Sequence, residues 1–150
     1  MRIVTIYILF TIYLFLCCRS NNEAINKEIK NDSEILTYRP KIFNVYPHSQ
    51  DAFTQGLIYS DGFLFESTGL YNKSTLRKID LESGSVLEEI KLASNYFAEG
   101  ITLYDNKIIQ LTWHSKTGFV YDKDSFRLIR EFKYPTEGWG LTYDGEYLIM

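Results

Sequence analysis

The sequence has few cysteines and histidines, and both shortages exclude a class of chemistry. Its 150 residues contain two cysteines, the adjacent Cys17 and Cys18, so the chain after them has no thiol for a disulfide or a nucleophile. The two histidines, His48 and His114, have no second ligand at metal-binding spacing. We therefore interpret both histidines as surface or loop residues and predict no metal site.

The sequence also lacks a basic cluster and a helical pattern. Its formal net charge is −3, which gives no electrostatic footprint for nucleic acid. A hydrophobic content of 45%, with 16% aromatic residues, is sufficient for a core. Beyond the N-terminal segment, apolar residues do not recur at helical spacing. The class predicted is all-β.

The N-terminal segment is the main apolar run. It begins with Arg2 and continues from Ile3 to Cys18, which is short for a bilayer span, and it predicts an export signal over residues 1–18. Cys17 and Cys18 resemble a loose bacterial lipobox. A lipoprotein anchor, plain secretion into the periplasm or medium, and an uncleaved membrane anchor all remain open. The polar residues 19–40 are interpreted as a linker to a domain at 41–150.

One pattern occurs three times, around Gly56, Gly100 and Gly140, as GLIYSDGFLFES, GITLYDNKIIQL and GLTYDGEYLIM. The spacing of about 40 to 44 residues is the period of a four-stranded propeller blade. Each glycine precedes a predicted first strand, and a tight turn at Asp61-Gly62 or Asp105-Asn106 leads to the second. The sequence therefore predicts a β-propeller of about two blades and the start of a third.

Further strands are predicted at 74–80 and 118–122, and at 86–92 and 128–135. Residues 41–46 (KIFNVY) alternate in the same way as the fourth strands. We predict that they form a strand of a closing blade whose partners lie beyond Met150. Because a propeller usually needs four to eight blades, we expect a truncated copy.

Short segments before each first strand carry the most distinctive residues. In a propeller these segments meet at one mouth of the central channel, so their side chains are expected to converge. The residues concerned are Phe53, Gln55, Phe97, Glu99, Glu137 and Trp139. Aromatic walls with one or two carboxylates suit binding of a small polar ligand and proton transfer.

Spacing alone leaves alternatives open. The pattern around Glu99 is also typical of a solvent-exposed loop residue. Trp113 ends a second strand, a position that is also typical of a core residue. Glu66 and Ser67 are expected either to face the mouth or to cap a turn.

The motifs HSQDAFTQGL, YFAEGITL, QLTW, GFVYD and EGWGLTYDG together resemble those of the plant-type glutaminyl-peptide cyclotransferases, a family of five-bladed propellers. The resemblance implies an aminoacyltransferase that acts on peptides or proteins with N-terminal Gln. It would form pyroglutamate and release ammonia, with no cofactor. The alternative is an inactive remnant or a non-catalytic surface-binding fragment.

The resemblance also implies roles for individual residues. Glu99 would be the catalytic acid and base. The substrate-binding residues would be Phe53, Gln55, Phe97, Trp113 and Trp139. Ala98 stands where the family commonly has glycine, and later blades of the family supply a further tryptophan and a lysine.

Overall fold

Residues 37–150 are described in a computed structural model of the protein. The chain divides into two units, Met1–Lys41 and Ile42–Met150, and every strand of the described residues belongs to the second. The predicted export signal, Cys17 and Cys18, and the linker as far as residue 36 lie outside the described residues, so those interpretations stay predictions. Within residues 37–150 no helix is long and apolar enough to cross a membrane.

Two four-stranded antiparallel sheets follow each other along the chain, and within each sheet the strands pair in chain order. The first sheet is blade 1, made of β1 (Thr54–Ser60), β2 (Phe63–Thr68), β3 (Thr75–Asp80) and β4 (Val86–Lys91). The second is blade 2, made of β5 (Ala98–Tyr104), β6 (Lys107–Thr112), β7 (Thr117–Asp122) and β8 (Leu128–Lys133). A two-stranded sheet follows, formed by β9 (Thr142–Tyr143) and β10 (Leu148–Ile149). The predicted all-β partial propeller is confirmed.

The first hairpin of each blade closes through the turn that the sequence indicates. Asp61 and Gly62 have φ values of 53° and 87°, as the two central residues of a type I′ turn require. In blade 2, Asp105 has a φ of 52° at the equivalent position. The turn residues therefore set the register between β1 and β2 and between β5 and β6.

The third and fourth strands of each blade are joined by a second repeated turn. In blade 1 the Asp80 carboxylate accepts hydrogen bonds from the Ser83 backbone N–H (2.9 Å) and hydroxyl (2.6 Å). In blade 2 Asp122 accepts the same two bonds from Ser125, at 2.8 and 2.7 Å. Because these bonds are local, four residues suffice to encode each turn.

Buried apolar side chains of both blades form the core. Phe65 of β2 stacks on Phe126, which follows β7, with ring centroids 6.1 Å apart. The core cluster consists of Phe65, Leu76, Ile101, Ile108, Phe119, Tyr121 and Phe126. Neither blade could bury these side chains alone, so the interface between the blades holds the structure together.

Gln110 of β6 links the two blades through a buried amide. Its Nε2 donates to the Ser67 hydroxyl at 2.8 Å, and its Oε1 accepts from the Tyr121 hydroxyl at 3.3 Å. Since Gln110→Ala leaves both hydroxyls without this partner, we expect the free energy of unfolding in urea to fall by about 1–3 kcal/mol. The control is Asn106→Ala, which removes an exposed bond to Asp124 and should change it by less than about 0.5 kcal/mol. Equal effects of the two substitutions would contradict the prediction.

Residues 41–46 are not part of a strand among the described residues. They are exposed, with Ile42 79%, Phe43 80% and Val45 85% accessible. Since the partners expected for this segment lie beyond Met150, its place in a closing blade stays a prediction.

The repeated glycines allow the inner strands of consecutive blades to approach each other. A Cβ on Gly56 would lie 2.7 Å from the backbone nitrogen of Ile101. A Cβ on Gly100 would lie 2.8 Å from the backbone nitrogen of Leu141, and the Gly100 N–H donates to the Trp139 carbonyl at 2.7 Å. The glycine in the repeat is thus a packing requirement between blades.

Candidate active site

A β-bulge at the start of each inner strand carries Gln55 and Glu99. The register between β1 and β2 shifts between Thr54 and Gly56, and that between β5 and β6 shifts between Ala98 and Ile101. Gln55 and Glu99 therefore lie inside strands, and their predicted placement in loops was wrong. Apolar and polar residues alternate along a regular strand, and this alternation is how a sequence indicates where the strand begins. The bulge interrupts the alternation and also changes the direction of the side chain that it carries.

Glu99 is a buried carboxylate. Only 8% of the residue is exposed, and burial raises the pKa of its carboxyl group above the ordinary glutamate value. Its charge in turn raises the pKa of Tyr134, which burial has already raised, so the two side chains are electrostatic neighbours. The alternative of a solvated loop residue is excluded. A buried carboxyl with a raised pKa is suited to accept and return a proton.

Phe97 is the centre of a cluster of aromatic side chains. Its ring meets Phe53, Tyr71 and Trp113 edge to face, with centroids 6.2, 5.5 and 5.6 Å away. Trp113 continues the contact to Trp139 at 6.2 Å. We call these five residues the aromatic wall. The structure brings together the four aromatic residues that the sequence placed here and adds Tyr71, which sequence reasoning missed although it follows β2 at the same end of the blade.

Gly69 makes room for the aromatic wall and for Gln55. A Cβ at this position would lie 2.5 Å from Cε1 of Phe97 and 3.1 Å from Cγ of Gln55. The Gly69 N–H donates to the Phe53 carbonyl at 2.8 Å, just as the Trp113 N–H donates to the Phe97 carbonyl at 2.9 Å. Gly69 is thus the blade 1 counterpart of Trp113, and its missing side chain lets Phe97 and Gln55 lie next to each other.

Trp113 is part of the aromatic wall and does not enter the core. It follows β6 directly and is partly exposed. Its indole Nε1 donates to Oε2 of Glu137 at 2.9 Å, and this bond is the main reason why the pKa of Glu137 is lowered. Glu99 and Glu137 therefore have pKa values shifted in opposite directions. Of the two, Glu99 is the carboxylate suited to proton transfer, whereas Glu137 stays ionised.

Glu66 and Ser67 are both fully buried within β2, so neither caps a turn. Oε1 of Glu66 is bonded to His48 Nε2 at 2.8 Å and to the Thr54 hydroxyl at 2.5 Å. Ser67 accepts the hydrogen bond from Gln110 across the blade interface. Glu66 therefore links β2 to β1 and to His48, and Ser67 links the two blades.

Both histidines lie in exposed loops, as the sequence indicated, but neither is isolated. His48 bonds to Glu66, and His114 bonds to Glu137 and stacks on Trp113. Within the part of the chain that the structure describes, no group of three or more His, Cys, Asp or Glu side chains is arranged to hold a metal ion. The expectation of no metal and no cofactor stays a prediction.

Fold and site together define a class: a partial β-propeller with a buried carboxyl group two residues after Phe97, the centre of an aromatic wall. The chain belongs to the glutamine cyclotransferase family, whose sequence model matches residues 11–150. A glutaminyl-peptide cyclotransferase of Arabidopsis thaliana is 47% identical over 106 residues, which cover 69% of this chain and 33% of that protein.

Solved structures agree with this assignment. The glutaminyl cyclase of Myxococcus xanthus superposes with a TM-score of 0.66 at 39% identity, over 72% of this chain and 45% of that one. The hydrazine synthase of Kuenenia stuttgartiensis has a TM-score of 0.52 at 16% identity, over 71% of this chain and 30% of that one, and shows a shared fold alone. The chain spans less than half the length of either cyclase relative.

Proposed function

We propose that the site formed by Glu99, Gln55 and the aromatic wall converts N-terminal glutaminyl residues of peptides to pyroglutamate, with release of ammonia. The observation that carries the proposal is the buried Glu99 carboxyl group with its raised pKa, at a bulge two residues after Phe97 of the aromatic wall. Family membership and the two cyclase relatives support the choice of reaction.

The reaction needs one proton acceptor and little else from the protein. The substrate's α-amine attacks the carbonyl carbon of its own side-chain amide, so a C–N bond forms within one molecule. Glu99 takes the proton that the amine loses and gives it to the departing nitrogen, which leaves as ammonia when the original C–N bond breaks. Because attacking and attacked groups belong to the same residue, holding the folded conformer contributes much of the acceleration.

The aromatic wall and Gln55 hold the glutaminyl residue of the substrate in that folded conformer. Phe97 and Trp113 present ring surfaces to the methylene groups of the glutaminyl side chain and exclude water around Glu99. Gln55, packed against Gly69 next to Phe97, offers amide hydrogen bonds to the polar end of the substrate. An uncharged α-amine is required, because only its free lone pair can attack.

Substrate discrimination tests the proposal. The purified chain should release ammonia from a Gln-initiated peptide and none from the same peptide with its α-amine acetylated, which removes the nucleophile. An Asn-initiated peptide should also be inert, because its shorter side chain would have to close a strained four-membered ring. Binding of the Gln peptide without ammonia release would instead indicate a non-catalytic binding protein.

The pH dependence of the reaction should show the environment of Glu99. The carboxylate form is the base, and burial raises its pKa, so activity should be lost on acidification at a higher pH than an ordinary glutamate, of pKa about 4.3, would give. The profile of kcat/KM against pH measures this acid limb once each value is divided by the fraction of substrate whose α-amine is uncharged, because that amine, of pKa about 8, also titrates in kcat/KM. The same shift means that the folded protein holds this proton more tightly than the unfolded chain, so Glu99 contributes less to stability as the pH rises. An acid limb at or below pH 4.3 would contradict the assignment.

A further inference from the structure

His114 is packed face to face on Trp113, its neighbour in the chain. The imidazole and indole centroids are 3.6 Å apart and the ring planes are inclined by 25°. Nδ1 of His114 lies 2.9 Å from Oε1 of Glu137. The imidazole therefore contacts Trp113 and also the Glu137 carboxylate, which is itself hydrogen-bonded to Trp113.

The Glu137 carboxylate bridges the two rings. Oε2 accepts from the Trp113 indole at 2.9 Å while Oε1 pairs with His114. An indole can rotate about two side-chain bonds, and here one contact fixes its N–H edge and the other covers one of its faces. The edge-to-face contacts with Phe97 and Trp139 depend on that orientation.

We infer that His114 is a positioning residue, which together with Glu137 clamps the Trp113 indole in the orientation that completes the aromatic wall. The inference rests on the proposed function only where it concerns substrate. The contact between Nδ1 of His114 and Oε1 of Glu137, at hydrogen-bonding distance, holds the imidazole against the indole face.

The carboxylate of the clamp stays ionised, because the hydrogen bond from Trp113 lowers the pKa of Glu137. Lys116, two residues after His114, is bonded through Nζ to the Pro135 carbonyl and so also ties this turn to the segment that carries Glu137. Because His114 and Glu137 are about half exposed, the pair is worth little to overall stability, and its effect should be confined to Trp113.

Intrinsic fluorescence isolates the clamp. The chain has two tryptophans, Trp113 and Trp139, and both belong to the aromatic wall. The imidazole covers one face of the Trp113 indole, so acrylamide, a collisional quencher, should quench the emission more strongly once that cover is removed. We expect His114→Ala to increase the quenching constant relative to the wild type, and His114→Gln to increase it less. The matched control is His48→Gln, which alters the only other histidine and should keep the wild-type quenching constant.

Kinetics then test the link to the site. His114→Ala should raise KM for a Gln-initiated peptide about two- to fivefold, with kcat within twofold of the wild type. His114→Gln, whose amide can still donate to Glu137, should recover most of the affinity.

A His114→Ala variant with the wild-type quenching constant would overturn the inference, even if the chain were an active cyclase. Conversely, increased quenching in the His114 variants alone would support the clamp even in a chain that releases no ammonia. The fluorescence measurement needs no substrate, so failure of the inference and failure of the proposed function remain distinguishable.

Discussion

Glu99→Gln should lower kcat for ammonia release by about 10²- to 10⁴-fold, the range that a positioned acid or base contributes. The amide keeps the shape of the side chain and can still form hydrogen bonds, but it cannot take the proton from the attacking amine. Because burial already disfavours the charged form of Glu99, the neutral glutamine should not lower the free energy of unfolding at neutral pH.

Kinetics and urea unfolding of the same variant separate chemistry from structure. Glu82→Gln, an exposed change of the same kind in the turn after β3, is the control and should keep the wild-type rate. A Glu99→Gln enzyme with the wild-type kcat would contradict the role given to Glu99. Loss of rate accompanied by unfolding would point to a structural role instead.

Gly100→Ala should destabilise the protein by about 1–3 kcal/mol, the usual cost of forcing an atom into a packed interior. The new Cβ would collide with backbone atoms of Trp139 and Leu141, which cannot swing away as side chains can. The hydrogen bond from the Gly100 N–H to the Trp139 carbonyl should also lengthen or break. Since Trp139 belongs to the aromatic wall, its fluorescence should shift together with the denaturation midpoint.

Gly140→Ala is a matched control for this experiment. Gly140 has the same place in the repeat, but a Cβ there would meet no described atom within 4 Å. The substitution should change the unfolding free energy by less than about 0.5 kcal/mol. If both alanine variants were equally stable, close packing between the inner strands would not explain the glycine.

The repeat predicted the fold because its signals are local. Asp61-Gly62 demands a hairpin by its own backbone preferences, and the Asp80–Ser83 and Asp122–Ser125 bonds join residues three apart. A glycine every 40 or so residues then sets the number of strands per blade. No long-range information is needed for any of these steps.

The site could be predicted only in outline. The repeat shows which residues share a mouth, and it correctly brought Phe53, Phe97 and Trp139 together, whereas only the family resemblance placed Trp113 there. It could not show the bulge that buries Glu99, because a bulge removes the alternation on which sequence reasoning depends.

Contacts between distant segments also escaped prediction. The clamp on Trp113 joins His114 to Glu137, which lies more than twenty residues further along the chain. Nothing in the residue pattern of either segment indicates that these two side chains are in contact. Likewise, the alternation at residues 41–46 does not show where a partner strand lies, and the place of this segment in a closing blade stays a prediction.

The mass spectrum of a Gln-initiated peptide incubated with the purified chain tests the central claim most directly. We expect a product lighter by one ammonia and without a free α-amine, formed by the wild type and, at equal concentration, not detectably by Glu99→Gln. An unchanged peptide with the wild type, or equal conversion by both proteins, would contradict the proposal that this site catalyses the cyclisation through Glu99.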